Sequence, residues 1–248
     1  MDMKIKDDFT ERWKKYFKNA ELPVVFYYTD DVKGIDKAKT ISTHRCFICD
    51  LAKVRRGKTL AFNVESVACG GGKRYLGFTR EIMPDFEYFL SCGIPGKLEG
   101  ERYKKTPELV KKSMKKSKDF KAPAEHVVFK RWDNLEEEDE PEVVVFFAVP
   151  DVLSGLFTLA GFDEVDANAV FTPFAAGCGS IVHYPYLERD AKSPRAVIGM
   201  FDVSARPCVP KDILTFAVPM KKLVKMIGNM DESFLITGSW DKVRKRIG

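Results

Sequence analysis

The sequence has little of what would identify a protein class at first sight. Its apolar runs fall short of the ~20 residues that a membrane-spanning helix needs, and the charged N-terminus has no signal-peptide core. It contains no Asn-x-Ser/Thr acceptor, and six cysteines in 248 residues are too few for a fold built on disulfides. We therefore expect a soluble, cytoplasmic protein with no membrane partner, in which the cysteines are thiols or ligands.

Neither sign of charge dominates the composition. The chain has 41 Lys and Arg against 36 Asp and Glu, a net charge of +5. This mild excess does not by itself indicate a nucleic-acid partner. With 45% apolar residues, the chain is long enough to bury a sizeable core. We predict one domain spanning residues 1–248.

The hydrophobic pattern predicts an α+β (mixed α/β) fold, in which helices pack on a mixed sheet. About seven apolar β-type segments are interleaved with helical ones, and some neighbouring segments resemble hairpins. At the N-terminus, four aromatic residues recur at helical spacing, which indicates a packing helix: Phe9, Trp13, Tyr16 and Phe17. The order of the strands cannot be read from these patterns.

The most informative stretch runs from His44 to Phe78 and holds the one Cys-x-x-Cys of the chain, Cys46 to Cys49. Residues 47–54 have a helical pattern with a broad apolar face, and both cysteines fall on the opposite, polar face. A cysteine with only a packing role is expected on the apolar face, because free Cys packs as a small hydrophobe. The position of this pair therefore indicates a ligand-binding role.

Two further cysteines lie in glycine-rich turns that lead into predicted helices. Cys69 precedes Gly70-Gly71-Gly72, and Cys178 lies within Gly177-Cys178-Gly179-Ser180. A thiol at such a turn is expected to have a lowered pKa, because free backbone N–H groups and the helix dipole favour the thiolate. We expect the two turns to converge at one edge of the sheet. His183, five residues after Cys178, points elsewhere on a helix and is predicted to be a core histidine.

The remaining candidates are predicted to have structural roles. Cys92 and Cys208 are expected to be unreactive, Cys92 as a core thiol and Cys208 in a stiff turn between two prolines. Asp202 and Arg206 follow a predicted strand, where an ion pair that holds the loop is expected.

Three functional hypotheses follow from these patterns. In the first, an iron-sulfur cluster or zinc binds through cysteines, although the second Cys-x-x-Cys of a zinc ribbon is absent. The proposed ligands are Cys46, Cys49, Cys69 and Cys178.

In the second hypothesis, the protein is an enzyme or binding protein that holds a small anionic ligand in a glycine-rich cradle, which is not a P-loop. The residues of this cradle are Gly70, Gly71, Gly72, Lys73, Arg74, Gly177, Gly179 and Ser180. In the third, a lysine-rich helix over residues 109–117 binds nucleic acid, but a solvated helix face is favoured because no recognition motif accompanies the charge.

Several of these residues also resemble a known family pattern. In this pattern Cys46 lies six residues before Ala52, and Arg55-Arg56-Gly57 follows the helical segment. A Cys-Gly turn then leads to Leu76-Gly77, and a Gly-x-x-Asp-x-x-x-Arg motif comes later in the chain. They resemble the prokaryotic domain-of-unknown-function family 169, uncharacterised ArCR type, over about residues 22–227. The resemblance implies a single-domain protein in which Cys46, Cys69 and Cys178 match the family's cysteine positions. It implies no activity, reaction or substrate.

Overall fold

The computed structural model describes residues 1–38 and 46–247. His44, the first residue of the cysteine-containing stretch singled out in the sequence, lies outside the described residues. None of the helices within the described ranges has the length and apolar composition that crossing a membrane requires.

One mixed sheet of seven strands organises the described part of the chain, in the order β2-β3-β1-β4-β7-β6-β5. Its edge strand β5 pairs in parallel with β6, whereas the other neighbours are antiparallel. The strands are β1 Val24–Thr29, β2 Leu60–Phe62, β3 His126–Arg131, β4 Val143–Ala148, β5 Val170–Phe171, β6 Ala196–Gly199 and β7 Leu214–Pro219. The predicted α+β fold with a mixed sheet is confirmed.

Helices cover both faces of this sheet. They are α1 Met3–Phe17, α2 Phe47–Arg55, α3 Gly70–Tyr75, α4 Phe86–Phe89, α5 Pro107–Lys116, α6 Pro150–Ala160, α7 Tyr184–Glu188, α8 Met220–Asn229 and α9 Gly238–Arg244. A π-helical turn, Gly179–His183, leads directly into α7. One hydrophobic cluster contains α1, α6, α8 and α9, and a second contains α2, the π-helical turn and α7.

The central strand β4 explains why both faces need a helical layer. Val144 and Phe146 belong to the first cluster, whereas Val145 and Phe147 belong to the second. Successive side chains of a strand point to opposite faces, so an uninterrupted apolar run must be buried on both. All six residues of β4 are buried. The packing role predicted for the first helix is also observed, since its four aromatic side chains are buried on the first face.

Two helical glycines allow a test of how tightly the first cluster packs. A Cβ on Gly155 of α6 would lie 2.4 Å from Trp240 and 2.8 Å from Phe17, whereas one on Gly228 of α8 would meet nothing within 4 Å. We expect Gly155→Ala to lower the free energy of unfolding by about 1–3 kcal/mol through overpacking. Gly228→Ala should raise it by up to about 1 kcal/mol, because alanine favours a helix over glycine. Urea unfolding measures both, and equal stability of the two variants would contradict the described packing.

Candidate cysteine site

Three free cysteines each precede a helix on the second face of the sheet. Cys46 is the N-cap residue of α2, Cys69 that of α3, and Cys178 that of the π-helical turn. The N–H groups of Ile48 and Cys49 lie beside the sulfur of Cys46, and the N–H of Gly179 lies beside the sulfur of Cys178. The two glycine-rich cysteine turns thus enter helices, as the sequence predicts.

Glycine packing brings these helix starts together. A Cβ on Gly177 would lie 2.6 Å from Ile48 of α2, and a Cβ on Gly179 would lie 3.2 Å from Tyr75 of α3. A Cβ on Gly72 would lie 3.7 Å from Phe47. The backbone of the Cys178 turn therefore packs directly against the helices that Cys46 and Cys69 precede. We name the place where they meet the cysteine site, defined by Cys46, Cys69 and Cys178.

The pKa values of two of these thiols are raised, contrary to the expectation of lowered values. Burial raises the pKa of Cys178 well above its ordinary value, and the charges of Cys69, Cys46 and Asp202 raise it further. Burial also raises the pKa of Cys46, while the N–H groups of Ile48 and Cys49 oppose that shift. The helix dipole and free N–H groups would lower the pKa of a cysteine at a helix start. Cys178 is only 6% exposed, so the loss of solvation has the larger effect on its pKa and raises it.

Asp202 supplies a carboxylate beside these thiols. It accepts hydrogen bonds from Gly177 N at 3.0 Å, from Tyr103 Oη at 3.1 Å and from Ser204 Oγ at 2.8 Å. The predicted Asp202–Arg206 ion pair is wrong. Arg206 donates instead to main-chain carbonyl oxygens, those of Met200, Pro210, Lys211 and Ile213. Tyr103 carries no signal in the sequence that would link it to the site.

Cys49 and Cys208 form a disulfide, with Cα atoms 4.6 Å apart. The expectation that all six cysteines are thiols or ligands is therefore wrong, and Cys49 is not free to be a metal ligand while this bond is intact. Cys208 is not the separate unreactive thiol that was predicted. Cys92 is exposed rather than part of the core. The pairing joins residues 159 positions apart, so no local pattern could indicate it.

The predicted anion cradle is largely engaged in packing. Arg74 holds both carboxylate oxygens of Asp119, at 2.8 and 2.9 Å. Ser180 Oγ donates to the carbonyl of Gly177 and accepts from Met200 N. The other members divide by exposure: Gly72, Gly177 and Gly179 are buried, Lys73 is half-buried, and Gly70 and Gly71 are exposed.

No three His, Cys, Asp or Glu side chains among residues 1–38 and 46–247 form a group that could hold a metal ion. Within these residues the cysteine site is therefore not a preformed tetrahedral shell of the kind that holds a zinc ion, in which each sulfur lies about 2.3 Å from the metal.

The lysine-rich helix α5 is largely solvated on its basic face. Lys112, Lys115 and Lys116 are exposed, and Lys111 pairs with Glu87 at 3.0 Å. This exposure agrees with the solvated helix face that the sequence analysis favours. Binding of nucleic acid there stays a prediction.

His183 is buried among aromatic rings, with centroids 5.1–5.5 Å away. These rings belong to Tyr75, Phe120 and Tyr184. In the part of the chain that the structure describes, neither ring nitrogen of His183 has a hydrogen-bond partner of normal geometry, although the nearby backbone of Lys118 favours the protonated form. Burial is the largest effect and lowers the pKa of His183.

The lowered pKa of His183 predicts a loss of stability in acid. Below its unfolded pKa of about 6.5, the unfolded chain binds a proton that the folded chain excludes. The free energy of unfolding should therefore fall by up to about 1.4 kcal/mol per pH unit as the pH drops from about 6.5 towards the folded pKa. His183→Phe, which keeps an aromatic ring, should lack this component. Urea unfolding at a series of pH values measures it, and parallel profiles of the two proteins would show that His183 does not contribute.

The comparisons with known proteins agree with the resemblance seen in the sequence. The profile of domain-of-unknown-function family 169 (DUF169), described as uncharacterised ArCR, matches residues 14–229. No curated protein and no solved structure matches the chain. The match spans most of the chain and includes all three thiols of the cysteine site and both disulfide partners. The protein therefore belongs to the DUF169 family of uncharacterised ArCR proteins.

Proposed function

We propose that the protein binds an iron-sulfur cluster through Cys46, Cys69 and Cys178. The observation that carries this proposal is the meeting of three free thiols, each at the start of a different helix, on one face of the sheet. Cysteines with only a packing role have no reason to share the N-cap position. Thiolates, in contrast, gain from the free N–H groups there.

Three cysteines with no other donor type match the all-thiolate ligand set of an iron-sulfur cluster. Cluster thiolates bind different iron atoms and so stand further apart than the ligands of one metal ion. The three cysteines are neighbours in the fold, because the backbone of the Cys178 turn packs against Ile48 of α2 and Tyr75 of α3. Neighbouring thiols that form no preformed single-metal shell are compatible with a group that spreads its ligands over several irons.

The electrostatics of the site also favour a cationic occupant. Ionising three neighbouring thiols beside the carboxylate of Asp202 would concentrate negative charge in a largely buried place. Iron held by these three cysteines would compensate this charge, and the thiols would lose their protons, as cysteine ligands do. When bound, such a cluster would supply electron transfer or a Lewis-acidic iron. The residues of this chain hold it and surround it with hydrogen-bond donors.

An anaerobic preparation tests the proposal directly. Protein produced and purified without oxygen, or reconstituted with ferrous iron and sulfide, should contain both elements and absorb at about 400 nm. A variant with Cys46, Cys69 and Cys178 all replaced by alanine should contain neither. The matched control is Cys92→Ala, which removes an exposed thiol outside the site. Equal iron in the triple variant and the wild type would refute the proposal, and zinc in place of iron would correct the identity of the metal.

A further inference from the structure

An irregular segment between α5 and β3, residues 117–122, lies against the second hydrophobic cluster, and we name it the strap. Its Phe120 ring packs among three other rings, which we name the aromatic box: Tyr28, His183 and Tyr186. The centroid of the Phe120 ring lies 4.5 Å from that of Tyr186, 5.5 Å from that of His183 and 6.1 Å from that of Tyr28. A Cβ on Gly77 would lie 2.6 Å from the Phe120 ring, so this ring also lies directly against the backbone.

The residue before Phe120 is held by an arginine of α3. Both carboxylate oxygens of Asp119 accept hydrogen bonds from Nη2 of Arg74, at 2.8 and 2.9 Å. The positive charge of Arg74 also acts on His183, so the arginine lies close to the aromatic box. Two adjacent strap residues therefore place a carboxylate on a guanidinium group and an aromatic ring among other rings.

The aromatic box contains polar groups that Phe120 cannot serve. Among the described residues, neither ring nitrogen of His183 and no oxygen of the Tyr186 side chain has a hydrogen-bond partner of normal geometry. The two side chains are only 2% and 3% exposed, although the Glu142 carboxylate lies near Tyr186 and the Lys118 backbone near His183. Buried polar groups normally have partners, because leaving one without a partner costs free energy. These groups mark a place that the hydrocarbon ring of Phe120 fills but does not complete.

The backbone beside the box is also unusual. The π-helical turn Gly179–His183 ends at His183, and such turns are rare and often found at functional sites. Tyr186 follows three positions later, so its side chain lies on the same side of the helix as that of His183. Both rings contact Phe120. The turn therefore brings two incompletely bonded polar side chains to the ring of the strap.

We propose that Arg74 and the aromatic box bind a small aromatic carboxylate that carries a ring hydroxyl, and that the strap occupies this site when the ligand is absent. Phe120 takes the place of the ligand ring, and Asp119 takes that of the ligand carboxylate. A ligand repeats both contacts, since a guanidinium group binds carboxylates through charge-assisted hydrogen bonds. Its hydroxyl adds hydrogen bonds to His183 and Tyr186, which a phenylalanine ring cannot make. The site needs no metal group at the cysteine site.

The test compares three small molecules by calorimetric titration of the full chain. The probe para-hydroxyphenylacetate has the ring, the hydroxyl and the carboxylate, whereas phenylacetate lacks the hydroxyl and para-cresol lacks the carboxylate. We expect the first to bind at least about ten-fold more tightly than the other two, because each of these leaves a polar group of the site unpaired. The N–H of Ala122, which donates to the carbonyl of Gly77 at 2.9 Å, reports on the strap. Its hydrogen exchange should be at least about ten-fold faster with para-hydroxyphenylacetate bound, because the ligand displaces the strap.

Four variants assign the contacts. Phe120→Ala should bind para-hydroxyphenylacetate at least about ten-fold more tightly than the wild type, because the competing ring is gone. His183→Phe should lose most of the preference for para-hydroxyphenylacetate over phenylacetate, and Arg74→Met most of the preference over para-cresol. The matched control is Phe174→Ala, which removes a ring that is 61% exposed and lies outside the box, and it should bind as the wild type does. Urea unfolding verifies that each variant folds, and Phe120→Leu replaces the alanine variant if that one does not.

Three results would overturn the site. If para-hydroxyphenylacetate binds neither the wild type nor the folded Phe120 variant more tightly than phenylacetate does, the box is only a packing cluster. Preferences that stay unchanged in both His183→Phe and Arg74→Met would show that the ligand binds elsewhere. If only the Phe120 variant binds, and takes all three molecules equally, the substitution has created a cavity that the native chain does not use. None of these measurements involves iron or sulfide, so failure of this site is distinct from failure of the proposed function.

Discussion

Cys178→Ala is expected to lower the affinity of the protein for an iron-sulfur cluster by at least about 100-fold. Substitutions that only touch the ligands of a metal site from outside already cost about 10–100-fold in affinity, so losing a ligand should cost no less. Cys178 is the one buried member of the cysteine site. A water molecule or an external thiol therefore reaches its position less easily than those of Cys46 and Cys69.

The measurement is the iron and sulfide content after reconstitution, followed by titration with a chelator. Alanine leaves a small cavity in the second cluster, so the urea unfolding of Cys178→Ala must be recorded to show that the chain still folds. Cys92→Ala should bind as the wild type does, because Cys92 is exposed and lies outside the site. Undiminished binding by folded Cys178→Ala would remove this residue from the ligand set.

Asp139→Ala is expected to lower the free energy of unfolding by about 3–5 kcal/mol, because it leaves the buried ammonium of Lys130 without its main partner. Lys130 and Asp139 are only 5% and 4% exposed and lie 2.9 Å apart, whereas the second partner, Glu136, is largely exposed. Asp139 also accepts hydrogen bonds from Tyr27 Oη and from Glu136 N. Burial alone would lower the pKa of Lys130, but the hydrogen bonds to Asp139 and Glu136 outweigh it and raise that pKa.

Two further variants make the prediction specific to a buried charge. Asp231 binds Arg12, Lys15 and Tyr16, but its side chain is 43% exposed, so Asp231→Ala should cost only about 1 kcal/mol. The double variant Lys130→Met/Asp139→Leu should regain part of the stability lost in Asp139→Ala, because it buries no charge. Urea unfolding of the four proteins at pH 7 provides the comparison. Equal losses in Asp139→Ala and Asp231→Ala would contradict the role of burial.

Local patterns predicted the elements that carry the site. The helix expected over residues 47–54 is observed as Phe47–Arg55. The helix expected after Cys69 begins at Gly70, because the glycines themselves form its first turn. The helix expected after Cys178 begins with a π-helical turn at Gly179. Neither the pairing of the strands nor a π-helical turn has a local signal of its own.

The sequence by itself therefore determined the class of fold and the position of Cys69 and Cys178 in turns that enter helices, because periodicity, turn residues and capping act over a few neighbouring positions. Only the tertiary structure decided the chemistry of those cysteines. It paired Cys49 with Cys208, buried Cys178 and placed Asp202 beside it. Burial, charge and covalent pairing depend on atoms that are close in space, and here those atoms come from segments up to 159 residues apart.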